Sequence, residues 1–285
     1  MTAIEIYRMY LDELITIYPK SEAENIRNRA FESLASISRS ELIKNPTSIL
    51  SNEINEALLK GLAQLKQQKP LQYILGESWF YKLPFKVSPA VLIPRPETEE
   101  LVELAIDFLE KQGIEKKVLD IGTGSGCIPI SIKKSIEGSN ITSIDISADA
   151  LTIAIENALT HATEINFLQC DFLEEKNWEH LDKYDVIISN PPYIPEEEKK
   201  LLDKNVTLYE PHLALFVEDK HPLIFYKKIA DFGKTHLEKN GIILLETHEN
   251  YADKVADLFN NKGYLSTIKK DMYDKKRMVI ATHCR

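Results

Sequence analysis

Hydrophobic residues in the first 70 positions recur every three or four residues, which is the period of an amphipathic helix. Two such faces are Ile4, Tyr7, Leu11 and Leu14, and Ile54, Leu58, Leu62 and Leu65. Ser21 and Glu24 have the spacing of a capping box, which predicts that one helix begins there. The pattern predicts a small all-α helical bundle domain over residues 1–75.

After about residue 116 the pattern changes to short β-branched runs separated by stretches of helical length. The runs are 118–121, 141–145, 165–168, 186–189 and 242–246. This alternation predicts an α/β domain with a mainly parallel, doubly wound sheet, here assigned to residues 91–285. Residues 76–90 alternate loosely and are predicted to be a hairpin linker. Ligands of such sheets bind beyond the carboxyl ends of the strands, so those ends are the candidate site.

Composition places the chain among globular proteins, with 44% hydrophobic and 28% charged residues in 285. No apolar run approaches the roughly 20 residues that cross a bilayer, and the first residues lack a basic, apolar secretory signal. We therefore expect a cytoplasmic protein without membrane contact. The three cysteines have no CxxC spacing and no histidines pair at ligand spacing, so no metal site is predicted.

The net charge of -9 is unevenly distributed. Residues 1–75 contain nine Lys/Arg and nine Asp/Glu, so the acidic excess lies entirely in residues 76–285. An acidic domain repels phosphate groups, which lowers the prospects of a nucleic-acid substrate without excluding a local basic patch. No stable nucleic-acid binding is expected.

A glycine-rich loop follows the first predicted strand and precedes a helix. Its residues are Gly122, Thr123, Gly124, Ser125 and Gly126. Without Cβ atoms, such a loop can bring its N–H groups close to a bound carboxylate or ribose. A tight strand-to-helix turn also needs glycine, but Gly-x-Gly-x-Gly lacks the third glycine position of dinucleotide loops. The pattern resembles the S-adenosylmethionine loop of class I methyltransferases.

Carboxylates close the next two predicted strands. Asp145 ends the second strand, where its two oxygens can accept hydrogen bonds from both hydroxyls of a ribose. Asp171 and Phe172 follow the third strand and can offer a carboxylate to an adenine amino group and an aromatic face to its ring. Phe172 is equally well explained as an ordinary core residue.

The sequence Asn190-Pro191-Pro192-Tyr193 follows the fourth predicted strand. Two successive prolines remove two backbone donors and fix two φ angles, which leaves rigid carbonyl acceptors. The Asn190 side-chain oxygen and the Pro191 carbonyl can accept both hydrogens of a planar NH2 group, and Tyr193 can stack on that group. A proline-rich turn is the alternative explanation. These four residues are the candidate catalytic residues for methylation of an amide or amine nitrogen.

Four stretches together resemble the protein-(glutamine-N5) methyltransferases of peptide chain release factors, the HemK/PrmC family. They are Pro70 to Gly76, Val91 to Glu99, Asn190 to Tyr193, and Glu210-Pro211. The resemblance covers roughly residues 70–285. The related enzymes of a ribosomal protein are expected to have Ser-Pro after Pro-Arg, where this chain has Pro96-Glu97-Thr98-Glu99. The chain departs from the family pattern at residues 217–221 and 247–250.

The resemblance implies a class I methyltransferase fold with a seven-stranded sheet, preceded by a helical bundle, and S-adenosylmethionine as the cofactor. It implies cofactor contacts from Gly122 to Gly126, Asp145, Phe172 and Asn190, and a glutamine clamp from Asn190 to Tyr193. Arg95 and Glu97 either shape the cleft or form a structural salt bridge. The helical bundle is predicted to dock class I release factors, which would be the protein partner.

Two other functions share parts of this pattern. Asn-Pro-Pro-Tyr also occurs in amino-group methyltransferases that act on adenine N6 or guanine N2 of nucleic acids, and a ribosomal-protein glutamine methyltransferase stays an alternative. A nucleic-acid enzyme must usually extrude its base and is expected to have a basic strand-binding surface. A non-catalytic nucleotide-binding module is less favoured, because it has no use for Asn-Pro-Pro-Tyr.

Overall fold

The computed structural model describes residues 1–112 and 115–284. The helices are α1 Ala3–Leu14, α2 Lys20–Ala35, α3 Arg39–Lys44, α4 Asn52–Lys66, α5 Leu71–Leu75, α6 Pro96–Gln112, α7 Cys127–Ser135, α8 Ala148–Thr160, α9 Lys204–Tyr209, α10 His212–Leu215, α11 Ile224–His236 and α12 Ala252–Asn261. The strands are β1 Glu77–Phe80, β2 Leu83–Lys86, β3 Lys117–Ile121, β4 Asn140–Asp145, β5 Asn166–Gln169, β6 Tyr184–Ser189, β7 Ile194–Pro195, β8 Phe216–Val217, β9 Leu237–Glu246, β10 Tyr264–Lys270 and β11 Lys276–His283. Two 3₁₀ helices are Glu175–His180 and Glu196–Leu201. No helix of the described residues is both long enough and apolar enough to cross a membrane.

The chain divides into two compact units. One is residues 1–77 together with 203–209, and the other is the rest of the described chain. The division differs from the predicted boundaries at two places. Residues 78–90 belong to the second unit, and residues 203–209, which contain α9, belong to the helical unit. There the Tyr209 hydroxyl donates to the Gln67 carbonyl at 2.9 Å, a long-range contact that the sequence pattern does not reveal.

The helical unit has its own core, centred on aromatic packing between α1 and α2. Phe31 makes edge-to-face contacts with Tyr7 and Tyr10, at ring-centroid distances of 5.0 and 5.5 Å. The buried Tyr10 hydroxyl donates to the Leu58 carbonyl of α4 at 2.5 Å. The buried stripe of α1 is Ile6, Tyr7, Tyr10 and Leu14, whereas Ile4 and Leu11 are only half-buried. Tyr7 and Leu14 of the predicted face are therefore buried as predicted, whereas Ile6 and Tyr10 are buried in place of Ile4 and Leu11.

The predicted capping box at Ser21 is wrong. Helix α2 begins at Lys20 with Pro19 at the N-cap, so Ser21 lies inside the first turn. A capping box is present instead at α3, where Ser38 Oγ accepts from the Glu41 N–H and Glu41 Oε2 accepts from the Ser38 N–H. Spacing alone could not separate the two sites, because Pro19 starts α2 before its serine.

The predicted seven-stranded sheet is confirmed, with the order β10-β11-β9-β6-β3-β4-β5. Strands β9, β6, β3, β4 and β5 run parallel, and β11 pairs antiparallel with β9 and β10. Alternate residues along one strand enter different cores: Ile187 of β6 faces one cluster, and Val186 and Ile188 face the other. Both faces of the sheet are thus covered, as a doubly wound fold requires. The carboxyl ends of the five parallel strands lie along one edge.

Strands β1 and β2 form a two-stranded sheet, a hairpin that packs against the large sheet rather than acting as a free linker. Phe80 and Phe85 are fully buried in the same cluster as α6 residues. The turn residues Tyr81 and Lys82 have φ angles of +49° and +63°, where glycine or asparagine is the usual choice. Glu99 of α6 accepts a hydrogen bond from the Tyr81 N–H at 2.8 Å and so holds this turn.

Candidate active site at the carboxyl ends of the strands

A cavity of about 340 Å³ opens beyond the carboxyl ends of β3, β4, β5 and β6, within the second unit. Eight of the predicted site residues line it, namely Gly122, Gly124, Asp145, Asp171, Phe172, Asn190, Pro191 and Pro192. Thr123, Ser125, Gly126 and Tyr193 are not part of its wall. The sequence motifs thus converge on one cavity of the size that small ligands occupy.

The glycines of the loop have two different roles. Gly122 and Gly124 have φ angles of +77° and +53°, and a Cβ on either would meet no atom within 4 Å. A ligand can therefore approach this backbone closely. At Gly126, a Cβ would lie 3.1 Å from Ile130 and 3.2 Å from Ala154, so this glycine allows α7 to pack on α8. The resemblance implies a cofactor contact for Gly126, and the structure shows that this glycine also has a packing role.

The N–H groups of the loop are mostly committed within the protein. Those of Gly122 and Thr123 donate to the Ile144 carbonyl at 2.9 and 3.1 Å, and that of Gly124 donates to Asp145 at 2.9 Å. The side chains of Thr123 and Ser125 are buried. The N–H groups of Gly122 to Gly124 therefore donate within the protein in this structure, and the loop offers open backbone surface to a ligand.

Asp145 is fixed at the end of β4. Its Oδ2 accepts from the Gly124 N–H and its Oδ1 accepts from the Ser147 N–H, both at 2.9 Å. Burial raises the pKa of Asp145, while these backbone donors act in the opposite direction. Each carboxylate oxygen has about two acceptor sites, so each keeps one for a ligand. The carboxylate thus ties the glycine loop to β4 and still offers two acceptors to the cavity.

Asp171 and Phe172 lie on the same wall. Asp171 Oδ1 accepts from the Leu173 N–H at 3.0 Å, which shapes the local turn. The Phe172 ring is buried and packs against Trp178 and Phe232, each at a centroid distance of 5.4 Å. Phe172 is therefore both a core residue and a cavity residue, and the two interpretations of its sequence position do not exclude each other.

A hydrogen-bonded cluster lies behind Asn190. Asn190 Nδ2 donates to Thr98 Oγ1 at 3.2 Å, and Thr98 Oγ1 donates to Glu246 Oε2 at 2.6 Å. The Tyr193 hydroxyl donates to Glu246 Oε1 at 3.3 Å. Burial is the main cause that raises the pKa of Tyr193, and the nearby Glu246 adds to it. The Tyr193 hydroxyl therefore keeps its proton and acts as a donor. The Tyr193 hydroxyl thus supports the cluster that holds Asn190, and Tyr193 itself is not part of the cavity wall.

Sequence reasoning missed Thr98 and Glu246. Glu246 is 2% exposed, and burial raises the pKa of its carboxyl group. It ends β9, which neighbours β6 in the sheet, so the rule that strand ends hold functional residues could have found it. Thr98 lies in the Pro-Glu-Thr-Glu run, but nothing in that run indicates that its hydroxyl reaches two distant strands.

The run from Arg95 to Glu100 ties separate segments together. Arg95 pairs with Glu210 at 2.5 Å, and Glu210, which is almost fully buried, also accepts from the Ile93 N–H at 3.2 Å. Glu100 accepts from the Met272 N–H at 2.6 Å. Arg95 therefore forms a structural salt bridge, with Glu210 as its partner. Glu97 forms no ion pair within the part of the chain that the structure describes.

The segments that depart from the family pattern have contacts of their own. The Thr247 N–H donates to the Arg277 carbonyl at 2.7 Å, which fixes the start of the 247–250 segment against β11. The His248 ring lies 6.1 Å from the Tyr193 ring, centroid to centroid. Asp219 in the other segment accepts from the Glu197 N–H at 2.9 Å. Among residues 1–112 and 115–284, no group of three or more His, Cys, Asp or Glu side chains is arranged to hold a metal ion.

Asp120, the last-but-one residue of β3, is a fully buried carboxyl group. Neither of its oxygens has a hydrogen-bond partner among the described residues, although the hydroxyls of Thr123 and Ser143 lie near enough to oppose part of the burial effect. Burial raises the pKa of Asp120 from 3.8 to about 7. Because the folded pKa lies above the unfolded one, this group stabilises the protein below pH 3.8, and that stabilisation is lost as pH rises through 7.

We expect Asp120→Asn to stabilise the protein at pH 8 by about 2–4 kcal/mol, since each pKa unit is worth about 1.4 kcal/mol. The neutral amide has nearly the same shape and carries no buried charge. At pH 5 the two proteins should differ much less. The measurement is denaturant unfolding at both pH values without added ligand. If the free energies of unfolding of the two proteins differed by the same amount at pH 5 and pH 8, Asp120 would not titrate in this range.

Comparison with known proteins shows which families and structures this chain is similar to. Residues 99–207 match the family described as Methyltransferase small domain, and residues 21–76 match the PrmC N-terminal domain. A release factor glutamine methyltransferase from Flavobacterium psychrophilum is 40% identical over 280 residues, covering 97% of this chain and 98% of that protein. One from Lactococcus lactis is 42% identical over 238 residues, covering 81% and 86%. A methyltransferase structure from Pyrococcus furiosus shares the fold, with a TM-score of 0.52, 15% identity, and coverage of 80% and 96%.

Proposed function

The chain belongs to the family of release factor glutamine methyltransferases, and we propose that it methylates the side-chain amide N5 of the glutamine in the Gly-Gly-Gln motif of class I release factors. The methyl donor in this proposal is S-adenosylmethionine. The observation that carries the proposal is that Asn190, Pro191 and Pro192 share one cavity wall with Asp145 and the glycine loop. Donor and acceptor can therefore meet in a single cavity.

The residues of the cavity fit an adenosine-containing cofactor. The two acceptor sites left on Asp145 suit the two ribose hydroxyls, and Asp171 and Phe172 suit the adenine amino group and ring. Gly122 and Gly124 leave space for the cofactor against the backbone, because a Cβ at either position would project into open space. When bound, S-adenosylmethionine supplies an electrophilic methyl group on its sulfonium.

The target nitrogen is a poor nucleophile, because its lone pair is delocalised into the amide carbonyl. Two fixed acceptors, Asn190 Oδ1 and the Pro191 carbonyl, can take its two hydrogens and polarise the nitrogen. Such polarisation and alignment are worth far more in a cavity that excludes water than in solution. The protein therefore needs no strong base. As the N–C bond formed, the bond between the methyl carbon and sulfur would break and leave S-adenosylhomocysteine, and one amide proton would pass from the nitrogen to water.

The experiment that tests the function compares four acceptors. Purified protein is mixed with S-adenosylmethionine carrying a tritiated methyl group and with release factor, ribosomal protein, DNA or ribosomal RNA. The proposal predicts label in the release factor, and loss of that label when the glutamine of Gly-Gly-Gln is replaced. Stronger labelling of DNA or ribosomal RNA would favour an amino-group methyltransferase of nucleic acids instead, and stronger labelling of ribosomal protein would favour the other glutamine methyltransferases.

The helical unit is proposed to dock the release factor. It carries none of the cavity residues, and its balanced charge over residues 1–75 suits a protein surface better than a phosphate backbone. Binding energy from such a remote contact can align the reacting nitrogen. Two large apolar side chains of this unit, Ile43 and Ile49, are 71% and 84% exposed and are available for such a contact.

Replacing both Ile43 and Ile49 with aspartate should lower kcat/KM for intact release factor by about 10-fold, because apolar anchors would be lost from the interface. The kcat/KM for a short Gly-Gly-Gln peptide should stay unchanged. Leu159→Asp, at a position in α8 that is 75% exposed, is the matched control and should affect neither substrate. Equal fractional losses on protein and peptide would exclude docking through these residues.

A further inference from the structure

We propose that Thr98 is a positioning residue that fixes which end of the Asn190 side-chain amide faces the substrate. The inference rests on the proposed function, since it assigns Asn190 to the target amide. An asparagine side chain has an acceptor end and a donor end of nearly equal shape, so it works as a clamp only if one orientation is imposed. The hydroxyl of Thr98 imposes it.

The direction of the hydrogen bonds follows from the single hydroxyl proton of Thr98. That proton is donated to Glu246 Oε2 at 2.6 Å, and the other oxygen of Glu246 accepts from the Tyr193 hydroxyl, so neither carboxyl oxygen acts as a donor. Thr98 Oγ1 then has only lone pairs to offer Asn190, which lies at 3.2 Å. The atom of Asn190 that points to Thr98 must therefore be the NH2 nitrogen.

Glu246 is held in place from three sides. The Tyr193 hydroxyl donates to its other carboxylate oxygen at 3.3 Å, so both oxygens act as acceptors. The buried Tyr226 hydroxyl donates to the Glu246 backbone carbonyl at 3.1 Å. Its strand β9 is paired on both edges, with β6 and β11. A carboxylate fixed in this manner gives the Thr98 hydroxyl one stable direction.

The orientation leaves Asn190 Oδ1 free for the substrate. Asn190 lines the cavity, and no donor among residues 1–112 and 115–284 is bonded to its Oδ1. In this orientation the cavity presents two acceptors, Oδ1 and the Pro191 carbonyl, to an incoming NH2 group. A glutamate side chain brings only acceptors and is repelled. With the Asn190 amide turned over, its NH2 would face the NH2 of glutamine, and the preference for glutamine over glutamate would fall.

The test compares Thr98→Val, which keeps the shape but lacks the hydroxyl, with Thr98→Ser, which retains it. We expect Thr98→Val to lower kcat for a Gly-Gly-Gln peptide by about 100-fold, as expected for a misaligned reacting group. The affinity for S-adenosylmethionine should change little in either variant. Thr98→Ser should restore kcat to near the wild-type value.

The second measurement is the ratio of the dissociation constants for Gly-Gly-Glu and Gly-Gly-Gln peptides, with S-adenosylhomocysteine bound. The wild type and Thr98→Ser should favour glutamine, and Thr98→Val should lose most of that preference. A loss of folding stability alone would not change this ratio among folded molecules. If Thr98→Val does not fold, the same measurements are made on Thr98→Ala, which also lacks the hydroxyl.

Two results would overturn the inference: an unchanged peptide ratio and kcat in the variant without the hydroxyl, or equal losses in Thr98→Ser and Thr98→Val. Either result can occur while the wild type methylates the release factor, and then only the role of Thr98 fails. If the wild-type protein methylated nucleic acid but no glutamine peptide, the proposed function itself would be contradicted.

Discussion

Replacing Asn190 with alanine should lower kcat for methylation of the release factor by about 100- to 1,000-fold, the loss typical of removing one group that stabilises a transition state. In the proposed function, Asn190 supplies one of the two acceptors for the target NH2 group, next to the Pro191 carbonyl on the same cavity wall. The dissociation constant for S-adenosylmethionine should change by less than about 3-fold, because the proposal assigns the donor to Asp145 and the glycine loop. Calorimetry and a methyl-transfer assay measure the two quantities separately.

The matched control for this variant is Asn240→Ala. Asn240 lies in β9 like Glu246, but it is exposed and is not part of the cavity wall. Its replacement should leave both kcat and cofactor affinity unchanged. Near-normal turnover in Asn190→Ala would mean that the amide clamp does not exist.

The second large effect is expected for Asp145→Ala, which should weaken S-adenosylmethionine binding by about 1.5–3 kcal/mol for each charge-assisted hydrogen bond lost. Part of that loss comes from the loop, because Asp145 also accepts from the Gly124 N–H. The two contributions can be separated by comparing S-adenosylhomocysteine with its 2′-deoxy analogue on wild type and variant.

The wild type should bind the 2′-deoxy analogue more weakly than S-adenosylhomocysteine, and Asp145→Ala should bind the two alike. If removal of the 2′-hydroxyl weakened binding by the same factor in both proteins, the ribose hydroxyls would not bind to Asp145. Asp145 would then have only its role in holding the glycine loop. Glu164→Ala, at an exposed position outside the cavity wall, controls for the removal of one negative charge.

The sequence predicted the sheet and eight residues of the cavity wall because both follow from local signals. Each parallel strand is a short buried run, and the strand-end rule places Gly122, Asp145, Asp171 and Asn190 at one edge before any contact is known. The structure accordingly puts all four residues on one cavity.

What the sequence could not predict are contacts between residues far apart in the chain. The bond from Thr98 to Glu246 spans 148 positions, and the bond from Arg95 to Glu210 spans 115. No periodicity encodes such a pairing. The packing role of Gly126 could not be predicted for a similar reason. A positive φ angle and a close neighbouring atom both favour glycine in a sequence. Only the position of Ala154 in the folded protein shows that a close neighbour is present.

The assignment of residues 203–209 to the helical unit bears on how this protein could have been assembled. The chain crosses between its two units three times, after residues 77, 202 and 209. A gene rearrangement that joined a complete helical module to the front of a methyltransferase would produce a single crossing. The segment 203–209 belongs to the helical unit but lies far from residues 1–77 in the sequence, so an exchange of residues 1–77 alone would leave part of that unit behind. Exchange of the front module between relatives should therefore succeed only when this short internal segment is exchanged with it.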